Sequence, residues 1–252
     1  MALSNQQIKH IRSLHRKKFR NKESQFIAEG VKVVDEVMRS QLSVELLILT
    51  PTNENLQNVY PNLPTAITDE KTFAKLSKQT NAAGVLALVN KPVYSFNPDD
   101  LGRLTLMLDG INDPGNLGTI IRTADWFGIH NILCSKESVD LFNPKTIQAT
   151  MGSIARVKVF YKDLPSILAP LTNQFNIMGL FMQGEPIDTQ KSNKKSIIVT
   201  GNEANGISKS VQPYIHTKVT IPRFSNRNQT SPESLNASIA TSIVCYELTK
   251  RE

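Results

Sequence analysis

Cysteine is scarce in this chain. Only Cys134 and Cys245 occur in 252 residues, far apart and without metal-ligand spacing. That excludes a disulfide framework and a cysteine-based zinc site, and two buried thiols in a reduced compartment are expected. The four histidines, His10, His15, His130 and His216, do not cluster with acids or with the cysteines. No structural or catalytic metal is therefore expected. No apolar run approaches the ~20 residues of a membrane helix, and no signal-peptide pattern opens the chain. A cytoplasmic location is expected. The phosphate-cradling signatures G-x-G-x-x-G and G-x-x-x-x-G-K-[ST] are missing as well, which argues against a dinucleotide-binding or P-loop enzyme.

Acidic residues are absent from positions 1–22, which hold Lys9, Arg12, Arg16, Lys17, Lys18, Arg20 and Lys22. These seven of the 29 basic residues account for the whole net charge of +7, because the other 22 bases balance 22 acids. The physical reading is a phosphate-rich partner, since each neutralised phosphate releases counterions. Arg16, Lys17, Lys18 and Arg20 are the candidate RNA contacts. A solvated basic helix face and a transit peptide are the plainer readings. The segment runs into Gln25-Phe26-Ile27-Ala28-Glu29-Gly30 without a cleavage-like break and is poor in serine, which disfavours the transit peptide.

Ile8, Ile11 and Leu14 form a narrow helical stripe. Strands are expected at 26–28, 44–49, 65–67 and 84–89, with helical spacing at Val34, Val37 and Met38 and a helix capped by Asp69. This makes a compact α/β unit over residues 1–90. Residues 91–103, with two prolines and little periodicity, read as a linker. Over 104–252 the alternation restarts, with strands at 104–108, 131–134, 157–160, 176–181, 196–200 and 217–221 and helices at 117–127, 144–151, 163–171 and 234–249. Strands interleaved with helices imply an α/β fold with a mostly parallel sheet covered on both faces.

In such a sheet, ligands sit outside the carboxyl ends of the strands. Three loops at such ends are rich in small and polar residues: 109–118, 201–206, and 222–236 ahead of the last helix. Taken singly, each has a modest explanation. Asn116, Ser234 and Asn236 are good helix caps, Glu203 suits a solvated turn, Gly201 a tight turn, and Arg122 could pair with Asp125 at i+3.

Together, the loops resemble the motifs of the SpoU/TrmH branch of the SPOUT RNA methyltransferases. The first motif stands here as Leu108-Asp109-Gly110, then Asp113-Pro114-Gly115-Asn116-Leu117-Gly118, then Ile121-Arg122-Thr123-Ala124. The second is the G-x-E-x-x-G turn from Gly201 to Gly206. The third is Ile221-Pro222 with Ser234-Leu235-Asn236. A weaker link is Asn143-Pro144-Lys145 with Thr150-Met151-Gly152-Ser153. Phe26-Ile27-Ala28-Glu29-Gly30 is similar to the small RNA-binding α/β domain that many members carry. The third motif departs from the family: residues 223–232 make it longer, and the usual glycine is missing.

The resemblance implies a C-terminal domain with a parallel sheet and a trefoil knot, which general topology rules would not suggest, and a smaller N-terminal α/β RNA-binding domain. It implies S-adenosylmethionine as cofactor, held by backbone at Gly201, Ile221 and Leu235, and a homodimer through the C-terminal part. It implies 2′-O-methylation of a ribose in structured RNA, ribosomal before transfer RNA, with Asn116, Arg122, Glu203, Ser234 and Asn236 as site residues. A tRNA 2′-O-methyltransferase and a non-catalytic RNA-binding protein on the same scaffold are the alternatives. A guanidinium holds its proton firmly and makes a poor proton acceptor, so Arg122 is read as holding the target phosphate and stabilising the developing alkoxide.

Overall fold

The computed structural model describes residues 3–190, 195–224 and 233–250. In chain order the elements are α1 (Asn5–Ser13), α2 (Lys17–Glu23), β1 (Gln25–Glu29), α3 (Val31–Met38), β2 (Val44–Leu49), α4 (Leu56–Val59), β3 (Thr65–Ile67), α5 (Glu70–Leu76) and β4 (Val85–Asn90). There follow β5 (Leu104–Asp109), α6 (Pro114–Trp126), β6 (Asn131–Ser135), α7 (Pro144–Thr150), β7 (Lys158–Lys162) and α8 (Leu164–Leu168). The chain closes with β8 (Asn176–Pro186), β9 (Ser196–Gly201), β10 (Thr217–Thr220) and α9 (Ala237–Thr249). Two compact units arise: one runs through Tyr94 and includes Asp140–Arg156, and the other holds Ser95–Val139 and the chain from Val157 onward.

The first unit is built on a four-stranded sheet in the order β1-β4-β2-β3. Strand β4 is central, antiparallel to both β1 and β2, and β3 runs parallel to β2. Its residues Val85–Val89 are all buried, so the strand reads as a continuous apolar run rather than an alternation. Ile11 and Leu14 pack with Phe73 and Leu76 of α5 over Ile27, Ile48 and Leu86. Asp69 caps α5 as its sequence suggests, accepting from the Thr72 amide at 2.9 Å. Helix α2 is not legible in the sequence, because Phe19 is its only large apolar residue and periodicity has nothing to register.

One expected RNA contact is overturned in this unit. Arg20 is buried, at 2% exposure. Its Nε and Nη2 both donate to Asp140 Oδ2, at 3.0 and 2.6 Å, and Nη1 donates to the Leu14 carbonyl at 2.9 Å. The guanidinium is consumed internally and cannot reach a phosphate. It serves instead to hold residues 140–156 in this unit. The Phe142 ring packs on Phe26 with centroids 4.8 Å apart, and Gln148 accepts from Gln79 at 2.8 Å. A segment that lies between two strands of the other unit's sheet in sequence thus belongs, by packing, with the N-terminal residues.

The second unit is a six-stranded sheet in the order β10-β8-β9-β5-β6-β7, with all pairings parallel. Leu106–Leu108 and Ile197–Val199 are fully buried, as expected of strands covered on both faces. On one side Met107, Leu133, Phe160 and Val199 pack with Leu164 and Leu168 of α8. Helix α6 buries Leu117, Ile120, Ile121 and Ala124 and packs with α9. Strand β5 is the point where the order turns: β6 and β7 lie to one side of it, and β9, β8 and β10 to the other.

Cys134 and Cys245 are buried free thiols. Burial pushes the Cys245 thiol up to about 12 and raises Cys134 as well, so neither is a nucleophile.

Candidate active site

The site grows from how α6 begins. The expected start at Leu117 is corrected to Pro114, with Asp113 as N-cap: its Oδ1 accepts the Asn116 amide at 2.8 Å. Proline at the first helical position costs no hydrogen bond, because that N–H has no partner inside the helix. A further consequence follows for Asn116. Its side chain is not spent as a cap, and at 8% exposure it must find other partners.

It finds them in the other two loops. Asn116 Nδ2 donates to Glu203 Oε1 at 2.5 Å, and Asn236 Nδ2 donates to Asn116 Oδ1 at 2.8 Å. The remaining oxygen of Asn236 caps α9, accepting from the Ser238 amide and hydroxyl at 2.9 and 2.6 Å. A carboxylate can only accept. Glu203 therefore orients the Asn116 amide, and Asn116 in turn orients Asn236. Three loops from distant parts of the chain meet through one carboxamide.

The second loop is held by backbone and by a residue the sequence reading passed over. Asn202 Oδ1 accepts the amides of Ala204 and Asn205 at 3.0 Å, and its Nδ2 donates to the Gly110 carbonyl at 2.7 Å. An asparagine just after a strand, ahead of a glycine-closed turn, is the signal that could have marked it. Asn202 and Gly206 also exchange both backbone hydrogen bonds, at 3.0 and 2.8 Å. This turn folds back over Gly201, where a Cβ would collide with the backbone of Gly206 and Ile207. Glycine is required there for close approach, a stronger reason than turn propensity.

Arg122 is exposed on α6 and has no hydrogen bond or ion pair among the described residues. The expected alternative, a pair with Asp125, is not formed. Ser234 and Leu235 are exposed just ahead of the Asn236 cap. Gly201 ends β9, and Ile221 follows β10. The structure thus joins Asn116, Glu203 and Asn236 directly and leaves Arg122 and Ser234 as exposed groups. The longer loop of the third motif lies, for residues 225–232, outside the described residues.

The donor set around Gly201, Ile221 and Leu235 is backbone and apolar side chain, with no charged group among the three. Leu235 is 49% exposed. Backbone at strand ends with apolar side chains such as Ile221 and Leu235 suits a ligand that has an aromatic ring to cover and polar edges for backbone hydrogen bonds, so these residue types are compatible with the adenosine part of S-adenosylmethionine.

A separate cavity of about 360 Å³ opens at the ends of β5, β6, β7 and β9, and none of the five expected catalytic residues lines it. Its lining mixes Lys136 and Lys162 with Asp109, Glu137 and Asp163, so it favours neither sign of charge. Asp109 itself is buried and accepts the Ser208 amide at 2.7 Å.

Comparison with known proteins follows the same lines. Residues 103–246 match the model of the SpoU rRNA Methylase family, and residues 5–87 match the MRM3-like substrate binding domain. The chain is 26% identical over 249 residues to the 23S rRNA (guanosine(2553)-2′-O)-methyltransferase of Bacillus subtilis, covering 98% of this chain and 97% of that one. Among solved structures, a protein of the TrmH family of RNA methyltransferases from Porphyromonas gingivalis superimposes with a TM-score of 0.85 at 34% identity, over all of both chains. An AdoMet-bound rRNA methyltransferase from Sinorhizobium meliloti gives 0.84 at 28% identity, over 100% of this chain and 96% of that one.

Proposed function

Because this chain belongs to the SpoU rRNA methylase family, we propose that it methylates a ribose 2′-oxygen of ribosomal RNA with S-adenosylmethionine. The observation that carries this reading is the Glu203–Asn116–Asn236 chain, which ties the three motif loops together. When bound, S-adenosylmethionine supplies an electrophilic methyl group on a sulfonium. Backbone at Gly201, Ile221 and Leu235 would hold it.

The protein's own residues do the rest. Arg122, exposed and unspent among the described residues, binds the phosphate next to the target ribose and offsets negative charge as the 2′-oxygen develops it. A planar guanidinium fits that role better than a point charge. Asn116 and Asn236 hold one another in a single orientation, so the amide face they present is preorganised and costs no reorganisation during reaction. Ser234, exposed directly before Leu235 and Asn236, would hydrogen-bond the ribose. Transfer would form the oxygen–methyl bond as the methyl–sulfur bond breaks, leaving the cofactor as a neutral thioether, and the 2′ proton would pass to solvent water rather than to Arg122.

In the first unit, Arg16, Lys17 and Lys18 are exposed and supply phosphate contacts, which position a protein without reading bases. The unit acts as the substrate-binding domain. A homodimer accounts for the large apolar residues left exposed in the second unit: Trp126 at 85%, Ile239 at 52% and Tyr246 at 55%. The knot of the family and a cytoplasmic place of work belong to the same reading. Among the described residues, no helix is long and apolar enough to cross a membrane.

The test is to map 2′-O-methyl groups in ribosomal and transfer RNA from a strain lacking this protein. One position should lose its methyl group, and the purified protein with S-adenosylmethionine should restore it. A complete methylation map in the deletion strain would refute the proposal, and loss from a tRNA alone would move the substrate to that class.

A further inference from the structure

Arg122 has no side-chain partner among the described residues, so its position depends on how α6 is fixed. The residue beside it, Thr123, forms a hydroxyl–hydroxyl hydrogen bond of 2.8 Å with Ser242 of α9. The direction of that bond is set by its neighbours. Ser242 Oγ gives its proton to the Ser238 carbonyl at 2.8 Å, so Thr123 is the donor and Ser242 the acceptor. Ser238 Oγ donates in turn to Asn236 Oδ1, which leads through Asn116 to Glu203. Thr123, Ser242, Ser238, Asn236, Asn116 and Glu203 thus form one series. Every side-chain donor in it points toward the carboxylate, and one step passes through the Ser238 backbone.

We propose that Thr123 and Ser242 are positioning residues for methyl transfer. Their bond fixes the turn of α6 that carries Arg122 relative to the Asn236–Asn116–Glu203 chain. This inference rests on the methyltransferase reading and extends it to two residues that touch neither cofactor nor RNA. A plain packing role would need no hydroxyls. Both residues are half-buried, and an alanine facing a valine would fill such a contact between helices. A neutral hydrogen bond adds only about 1 kcal/mol net, so stability alone gives little reason for the pair. Geometry does: a hydrogen bond fixes distance and direction where apolar contact permits sliding. A shift of roughly 1 Å in a reacting constellation costs up to about 100-fold in rate.

The experiment is single-turnover methylation of the mapped RNA by the full-length protein at saturating cofactor. Cofactor affinity is read by calorimetry and melting temperature is taken for every variant. Ser242→Ala and Thr123→Val should each slow methyl transfer roughly 10- to 100-fold, with cofactor affinity and melting temperature near wild type. Thr123→Ser keeps the hydroxyl and should recover most of the rate. Combining Ser242→Ala with Glu203→Gln should be no slower than the slower single variant, because members of one unit are not additive. Wild-type rates in both single variants would overturn the proposal. So would rate reductions that multiply in the double variant, or a Thr123→Ser as slow as Thr123→Val. Should Thr123→Val fail to fold, Ser242→Ala, which only removes an oxygen, decides alone. A wild-type protein that transfers no methyl group would overturn the methyltransferase reading and this inference with it, whereas active wild type with indifferent variants overturns the inference only.

Discussion

Asn236 Nδ2 and Asn116 Oδ1 lie 2.8 Å apart, joined by a hydrogen bond between residues 120 positions apart in the chain. The contact holds the start of the last helix to the first turn of α6. Its orientation is imposed by Glu203 on the far side of Asn116. Replacing Asn116 with Ala leaves Glu203 and Asn236 without this partner, and single-turnover methyl transfer should fall by roughly 10²–10³-fold. Asn116→Asp keeps the shape but sets a carboxylate against Glu203, and its effect should be at least as large. A rate for either variant within twofold of wild type would remove the chain from the mechanism.

Arg122→Ala should cost a similar ~10²–10³-fold in methyl transfer, with S-adenosylmethionine affinity nearly intact, because cofactor contacts are assigned to other loops. Arg122→Lys should not rescue, since an ammonium cannot reproduce the guanidinium fork. Calorimetry with the cofactor beside single-turnover rates separates the two effects.

Gly201→Ala tests the pocket. Its new methyl group would collide with the backbone of Gly206 and Ile207, not with a flexible side-chain end. The turn must open, and cofactor binding heat should disappear while far-UV circular dichroism stays near wild type. Intact binding in this variant would detach the cofactor from this loop.

The N-terminal basic residues divide into two classes. Changing Arg16, Lys17 and Lys18 together to Ala should weaken RNA binding and lower the salt slope by ~0.9 for each duplex phosphate that is no longer neutralised, with melting temperature unchanged. Arg20→Ala should instead destabilise the fold by about 3–5 kcal/mol, because it empties the buried place of the guanidinium and removes the ion-pair partner of the part-buried Asp140. Salt titrations of RNA binding, set beside denaturant unfolding, discriminate the two.

Glu29 offers a pH test of the first unit. Burial raises its pKa above the ordinary carboxylate value, and hydrogen bonds, including one from the Ser77 hydroxyl, oppose this only in part. A raised carboxyl pKa means the folded state binds the proton more tightly than the unfolded chain. Stability should therefore fall as pH rises from the unfolded value of 4.5 through the raised folded value. Glu29→Gln removes that burden. It should be the more stable protein at neutral pH, and the advantage should vanish below the unfolded value. Thermal unfolding of both proteins between pH 4 and 8 checks this, and a constant difference would refute it.

Much of this protein was legible in sequence because its physics is local. Apolar runs such as Leu104–Leu108 and Ser196–Thr200 announce strands buried on both faces, Asp69 announces a cap, and the order of the three motifs announces the family. The missing acids in the first 22 residues announce a basic end. None of these signals reports which side chains meet. Arg20 and Arg16 look alike in the chain, yet only packing buries the first against Asp140 and leaves the second exposed. Residues 140–156 carry no mark that they leave the sheet between β6 and β7 to pack on Phe26. Asn116 reads as an ordinary cap, and only when Asp113 takes that duty is its carboxamide free to join Glu203 and Asn236. The division has one cause. Periodicity and turn chemistry act over a few residues and are written in sequence order. Hydrogen-bond partners for a buried polar group are chosen by what the folded chain brings within about 3 Å, and that choice exists only once the sheet has set its strands in the order β10-β8-β9-β5-β6-β7.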